Sequence, residues 1–310
     1  VSAVDFQLSG DQRALRAGMR ELLAARYGRD ALRAAVDGGG PVVDRGLWRE
    51  LGAAGFFALR LAESEGGVGL GAAEAVLVFE EAGRVLLPGP LVASHLAAGL
   101  VKGAAEGEVV VTVPEAEALV AHLSHSDALL GRPGEEVAGG PVLRPVPVRS
   151  VDPLTPLHRV AGAAPPAAYR AQGALLTAAL QVGSALRTTE MAVEHAKQRQ
   201  QFGKPIGAFQ AVKHLCAGML VRTELARTAL YAAAVTMDPA EVAGAKLLAD
   251  RAAVRGARDC LQVHGGMGFT WEADVHLHLK RAWLRAGLWL TATECEERLA
   301  ADLEAAAGAG

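Results

Sequence analysis

Apolar positions in the first hundred residues recur at helical spacing between breaks marked by glycine and proline. Leu15, Met19, Leu22 and Leu23 share one face of a helix that Ser9 and Gln12 are placed to start, because both side chains can accept free backbone amides. "DRGLWRELGAAGFFAL" repeats the pattern with Leu47, Leu51 and Phe56 around a glycine stop. "EGGVGLGAAEAVLVFEEAGRVLLPGP" sets a glycine-rich loop before a helix that Pro88 and Pro90 end. From Val109 to about Val160 the rhythm changes. Seven prolines and β-branched clusters ("VVVTVP", "ALVAHLSHSDALL", "PVLRPVPVRSV") predict short strands in a small irregular unit, with no room for a large sheet.

Helical spacing returns at Pro165. Leu175, Leu176, Ala179, Leu180, Gly183 and Leu186 form one stripe of a helix that runs toward Arg199 and is stopped by Gly203 and Pro205. A second long helix is expected from about Phe209 to Met237, with Val212, Leu215, Met219, Leu220 and Leu225 inward. A third is expected from about Pro239 to His264, stopped by Gly265–Gly266, and a last segment with an interruption near Gly287. The expected fold is mostly α: an N-terminal helical domain (1–108), a reduced β domain (109–164) and a C-terminal antiparallel four-helix bundle (165–310).

Composition supports that reading: 51% of residues are apolar and only 5% aromatic, so alanine, leucine and valine must do the packing, and the first two are strong helix formers. A net charge of −3 argues against nucleic acid, and no apolar run reaches membrane-spanning length uninterrupted. The first residues lack a signal-peptide layout, and Cys216, Cys260 and Cys295 form no close pair, so a reduced, cytoplasmic protein is expected. His276 and His278, two apart, would not face each other on a helix; surface or interface histidines are expected there, not a metal pair. Trp271, Trp283 and Trp289 are expected to pack. The glycines near Gly66 have no preceding strand and do not make a dinucleotide-binding fingerprint.

Three stretches carry a resemblance: "RQQFGKPIGAFQAVKHLCAGM" (199–219), "CLQVHGGMGFTWEADVHLHLKRA" (260–282) and, less specifically, "LAESEGGVGLGAAEAVLVFEEAGRVLLPGPL". In order and separation they resemble the acyl-CoA dehydrogenase family, over nearly all of the chain except its middle. The resemblance implies FAD held at a subunit boundary, with the first two stretches reaching a neighbour's cofactor. Arg199 would offer a permanent fork of donors to the pyrophosphate, Phe202 an aromatic face, and Gln201 and Gln210 amide hydrogen bonds. Gln262, Gly265 and Gly266 would bring a carboxamide and bare backbone toward the adenosine-diphosphate half. Read singly, Arg199 is a polar helix end and Gly265–Gly266 a helix stop; the joint spacing favours the cofactor reading.

In this family a glutamate removes the α-proton of an acyl-CoA thioester while the β-hydrogen leaves as hydride to the flavin. Counting forward from "HLKRA", the usual place of that base falls at or beside Trp289. Counting back from Phe202, the alternative place falls at Gly173. Neither is an acid. Only "SVDPLTPLHRV" resembles part of the family's central β domain, its end. The chain therefore resembles the non-catalytic subunit of the two-plus-two bacterial dehydrogenases of steroid side-chain degradation. That resemblance implies a homologous catalytic partner subunit, an acyl-CoA substrate and an electron-transfer flavoprotein as acceptor. Two alternatives stay open: a self-sufficient homo-oligomer with a relocated base (Glu294, Glu190 or Glu194), and a flavin-free binding or structural protein of the same fold.

Overall fold

The computed structural model describes residues 7–131 and 145–308. Five helices open the chain: α1 (Gly10–Arg26), α2 (Arg29–Val36), α3 (Arg45–Ala53), α4 (Ala72–Arg84) and α5 (Leu91–Ala97). α1 begins as its sequence predicts. The Ser9 hydroxyl accepts from the Gln12 amide at 3.1 Å while the Gln12 carboxamide oxygen takes the Ser9 amide at 3.0 Å. The same Gln12 side chain donates to Glu74 at 2.8 Å and so ties α1 to the first turn of α4.

The middle holds six short strands: β1 (Val111–Thr112), β2 (Pro114–Ala116), β3 (Leu119–Ala121), β4 (Ala128–Leu129), β5 (Val146–Val148) and β6 (Leu157–Arg159). β2, β3, β6 and β5 lie in that order in an antiparallel sheet, with Val120 opposite His158, and β1 pairs in parallel with β4. The strand expected at "PVLRP" falls mostly outside the described residues.

The rest is helical. α6 (Arg170–Gln198) is followed by a two-stranded hairpin, β7 (Gln200–Gln201) and β8 (Lys204–Pro205), then α7 (Gln210–Thr236) and α8 (Pro239–His264). α9 (Val275–Arg285) and α10 (Ala292–Gly308) share the place of a fourth long helix, broken around Gly287 as the sequence suggests. Asp238 caps α8 by accepting from the Ala240 and Glu241 amides, with Pro239 at the first helical position. α6 is the axis of the molecule and is buried on every side in its first four turns. Its crossing with α4 requires glycine on both helices. A β-carbon on Gly83 would collide with the Leu180 carbonyl, and one on Gly183 with that of Glu80.

One continuous apolar core runs from Leu51, Phe56, Phe57 and Phe79 through Leu175, Leu176 and Val182 to Leu277 and Trp289. A smaller cluster around Met219, Cys260, Val263 and Val275 closes the far end of the bundle beneath the β7–β8 hairpin.

Three expectations need correction. Leu220 and Leu225 do not face inward; they are 51% and 57% exposed, because α7 turns Met219, Thr223, Ala226, Leu230 and Ala233 to the core instead. His278 is not at the surface: it lies on the buried face of α9 with Val275 and Ala282, and its ring shares a 2.8 Å hydrogen bond with Ser184 Oγ. Burial lowers its pKa to about 3, so it is a neutral core residue. Trp271 and Trp283 are partly exposed. Trp271 stacks on His276 and lies beneath Lys280, and Trp283 lies beneath Arg258. Of these three, Trp289 alone packs in the core.

Candidate functional site

The residues singled out from the sequence gather at one end of the bundle, on two segments. The first is the hairpin that follows α6. Phe202 and Gly203 form its two-residue turn, both with positive φ (52° and 75°), the twist that short hairpins favour. Glycine adopts that geometry readily, but phenylalanine does so at a cost of about 1–2 kcal/mol. The Phe202 ring is nevertheless 89% exposed and meets only the edge of Phe209, at 5.9 Å between centroids. The Arg199 side chain is exposed and has no hydrogen-bond or ion-pair partner among the described residues. Gln210 begins α7 with its side chain in solvent, and Gln201 folds back onto the Gln200 carbonyl at 2.8 Å.

The second segment is the end of α8. Gln262 is exposed, and Gly265 stops the helix at φ 61°, ψ −142°, a conformation essentially reserved to glycine. No atom of the chain lies within 4 Å of where a β-carbon on Gly265 or Gly266 would sit. Crowding inside the chain therefore does not explain this pair, and its backbone is open to something outside. One contact joins the segments: the rings of His195, in the last turn of α6, and His264, at the end of α8, stack with centroids 4.1 Å apart. The His264 Nδ1 is 2.8 Å from the Cys260 carbonyl oxygen. The His195 pKa is lowered by burial, then by His264 and Arg199. Among the described residues this end presents cationic, amide and aromatic groups with little internal pairing, a set that fits the pyrophosphate and adenosine portion of FAD.

The two places expected for a catalytic base meet each other. Gly173 lies in the first turn of α6, and Trp289 lies in the break between α9 and α10 with its indole flat against that glycine. A β-carbon on Gly173 would interpenetrate the indole ring carbons. Trp289 is 2% exposed and has φ 64°, a strained conformation for so bulky a residue. Its partners explain how it is held. Its amide donates to the Glu115 carbonyl at 2.6 Å, its indole Nε1 to Glu115 Oε1 at 3.1 Å, and its carbonyl accepts from Arg170 at 3.0 Å.

Glu115, on β2, was not singled out from the sequence. It is buried, and desolvation lifts its pKa to about 7 against the opposing pull of the Trp289 indole and Arg285. With His122, Arg281 and Arg285 it lines a cavity of about 30 Å3 between α5, α6, α9 and the sheet. That space suits about two waters. Ligand pockets of drug-sized molecules run to roughly 300–1,000 Å3. No signal in "VTVPEAEALV" distinguishes Glu115 from Glu117, since its burial depends on α9 and Trp289 arriving from 170 residues away. The acids weighed as relocated bases all sit in surface ion pairs. Glu294 pairs with Arg170, Glu190 with Arg84 and Arg187, and Glu194 with Arg187.

Comparison with known proteins agrees with this geometry. The acyl-CoA dehydrogenase N-terminal domain matches residues 9–107 and the C-terminal domain residues 171–287. The acyl-CoA dehydrogenase IpdE2 of Mycobacterium tuberculosis is 35% identical over 94% of this chain and 97% of its own length. IpdE2 of Mycolicibacterium smegmatis is 33% identical over 96% of this chain and its whole length. In fold, the chain superposes on one in the crystal structure of the ChsE4–ChsE5 complex from Mycobacterium tuberculosis with a TM-score of 0.83 and 24% identity, covering 97% of this chain and 99% of that one. The chain belongs to the acyl-CoA dehydrogenase family, whose members are FAD-dependent oxidoreductases. No helix among the described residues is long and apolar enough to cross a membrane.

Proposed function

We propose that this chain is the non-catalytic subunit of a heteromeric acyl-CoA dehydrogenase, lending FAD contacts to a homologous catalytic partner and supplying no base of its own. The observation that carries the reading is the contact between Gly173 and Trp289. The two positions where the family would place its glutamate are pressed together around an indole, and the adjoining cavity of about 30 Å3 has no room for a flavin ring or a thioester. At the opposite end of the bundle, Arg199 has no hydrogen-bond or ion-pair partner among the described residues and the Gly265–Gly266 backbone is open. A chain whose own site is closed while its outward cofactor contacts stay available is suited to complete another chain's site. The ChsE4–ChsE5 complex, which by its name pairs two components and contains a chain of this fold, supports the same arrangement.

In this reading Arg199 holds the pyrophosphate, with Gln201 and Gln210 fixing its orientation. Phe202 covers an apolar face of the cofactor and excludes water, and Gln262, Gly265 and Gly266 contact the adenosine-diphosphate half. FAD, when bound, accepts the hydride in the α,β-dehydrogenation of an acyl-CoA. The α-proton goes to a carboxylate of the partner, since Glu294, Glu190 and Glu194 are committed to surface ion pairs here. An electron-transfer flavoprotein is the expected acceptor.

The test is purification of the chain alone and together with a candidate catalytic subunit that carries the glutamate. Flavin absorbance and acyl-CoA dehydrogenation should appear only in the complex. A lone chain that turns over acyl-CoA would refute the proposal and favour a self-sufficient enzyme. An active complex in which Arg199→Ala leaves FAD affinity unchanged would refute the assigned contacts.

A further inference from the structure

The cavity beside Glu115 has a charge imbalance that the chain does not resolve. Arg281 and Arg285 are both buried in α9, at 3% and 5% exposure. Arg281 is paired through Nε with Asp152, and its Nη1 is 3.4 Å from the Leu87 carbonyl, but its Nη2 is buried without a partner. Among the described residues the Arg285 side chain has only the Leu180 carbonyl, 3.4 Å from Nη1. Across the cavity, His122 at the end of β3 is also buried, with Nδ1 unpartnered. Its ring is neutral, because burial and the two arginines hold its pKa well below the usual value. The remaining charge-bearing group is Glu115, whose pKa of about 7 leaves it protonated in mildly acidic solution. Two guanidiniums against one carboxylate, Asp152, leave one positive charge in excess. A guanidinium does not release its proton, and an uncompensated buried charge is strongly unfavourable.

We propose that this cavity is a binding site for a single small monovalent inorganic anion of chloride size, held by Arg281 Nη2 and by His122 as its Nδ1–H tautomer. The volume of about 30 Å3 is enough for a monatomic ion or a pair of waters. The two orphaned donors supply its hydrogen bonds, and the excess charge supplies the attraction that neutral waters would not satisfy. Ionised Glu115 restores neutrality by itself. Anion and proton therefore bind together, and the anion leaves as pH rises through about 7. The groups facing Glu115 are Arg285 and Arg281 on α9, His122 beyond β3 and the Trp289 indole; burial keeps the His122 ring neutral and works against the charge of Arg285. The site is independent of the proposed cofactor role.

The experiment uses the purified chain alone. Its melting temperature is measured at pH 6 and pH 8 while sodium chloride replaces sodium gluconate at constant ionic strength, and crystals are soaked in sodium bromide for anomalous diffraction. A saturable chloride-dependent rise of a few degrees is expected at pH 6 and little at pH 8, with a bromide peak beside Arg281 and His122. Glu115→Gln, which keeps the side chain's size and removes its charge, should extend the chloride effect to pH 8. Equal stability in chloride and gluconate at pH 6, or bromide peaks only elsewhere on the molecule, would overturn the site. A chloride effect of the same size at both pH values in the parent protein would overturn its coupling to Glu115.

Discussion

Replacing Gly173 with alanine should change sign according to what stands at position 289. In an ordinary helix interior, glycine to alanine stabilises by about 1 kcal/mol through backbone entropy and propensity. Here the new methyl group would enter the Trp289 ring, and both residues are fully enclosed, so neither can move aside into solvent. Overpacking of this kind costs about 1–3 kcal/mol. The net expectation is that Gly173→Ala destabilises the parent chain by up to about 2 kcal/mol. Trp289→Gly by itself removes a large buried side chain, a loss of about 3–5 kcal/mol, lessened by relief of the positive φ that glycine adopts freely. In that background the alanine methyl meets open space and its helix preference of about 1 kcal/mol emerges as stabilisation. The coupling between the two substitutions is then the overpacking cost itself, about 1–3 kcal/mol, above the ~0.5 kcal/mol scatter of independent sites. Urea denaturation of the four proteins, followed by circular dichroism with the slopes compared, measures it. Equal effects of Gly173→Ala in the two backgrounds would show that the indole does not fill the space above α6, and the argument for a sealed site would fall with it.

The buried carboxyl gives a second expectation. Because the folded-state pKa of Glu115 is raised to about 7, its contribution to stability is full below the unfolded value and is lost as pH rises through 7. In gluconate, the stability of Glu115→Gln relative to the parent should therefore climb between about pH 4.5 and 7, by roughly 3 kcal/mol at most, as read by chemical denaturation across pH; a flat difference contradicts it. Arg199→Ala should leave the chain's own stability within about 0.5 kcal/mol, since the side chain is exposed and unpaired, yet weaken FAD retention by the complex roughly 10–100-fold, measured by fluorescence of released flavin. Phe202→Gly should stabilise the isolated chain by up to about 1 kcal/mol in thermal unfolding by relieving a positive-φ phenylalanine, while loosening FAD in the complex. Lys246→Met should cost about 3–5 kcal/mol in denaturant titrations, because it leaves Asp250 buried opposite Gln181 without its cation.

The sequence by itself determined what is local. Helix starts at Ser9 and Asp238, the stop at Gly265 and the break near Gly287 were legible because caps, turns and breakers act within a few residues, whereas α6 ends at Gln198, before Gly203, which turns the hairpin. The residues proposed to hold FAD were picked out in the same way, as residue types at fixed short spacing, and their collection at one end of the bundle follows from long helices that end together. The register of α7 was misread because large apolar residues stand on more than one of its faces, so periodicity could not say that alanines and threonines face the core while Leu220 and Leu225 face out. His278 was misplaced because its burial depends on Ser184, 94 residues away, supplying the hydrogen bond. Gly173 and Trp289 could each be seen to lack an acid, but only the tertiary structure made the two absences one fact, a single volume occupied by an indole. Glu115, Arg281 and His122 were invisible as a cluster for the same reason. A side chain's charge state depends on desolvation and on neighbours from distant segments, and neither exists until those segments pack.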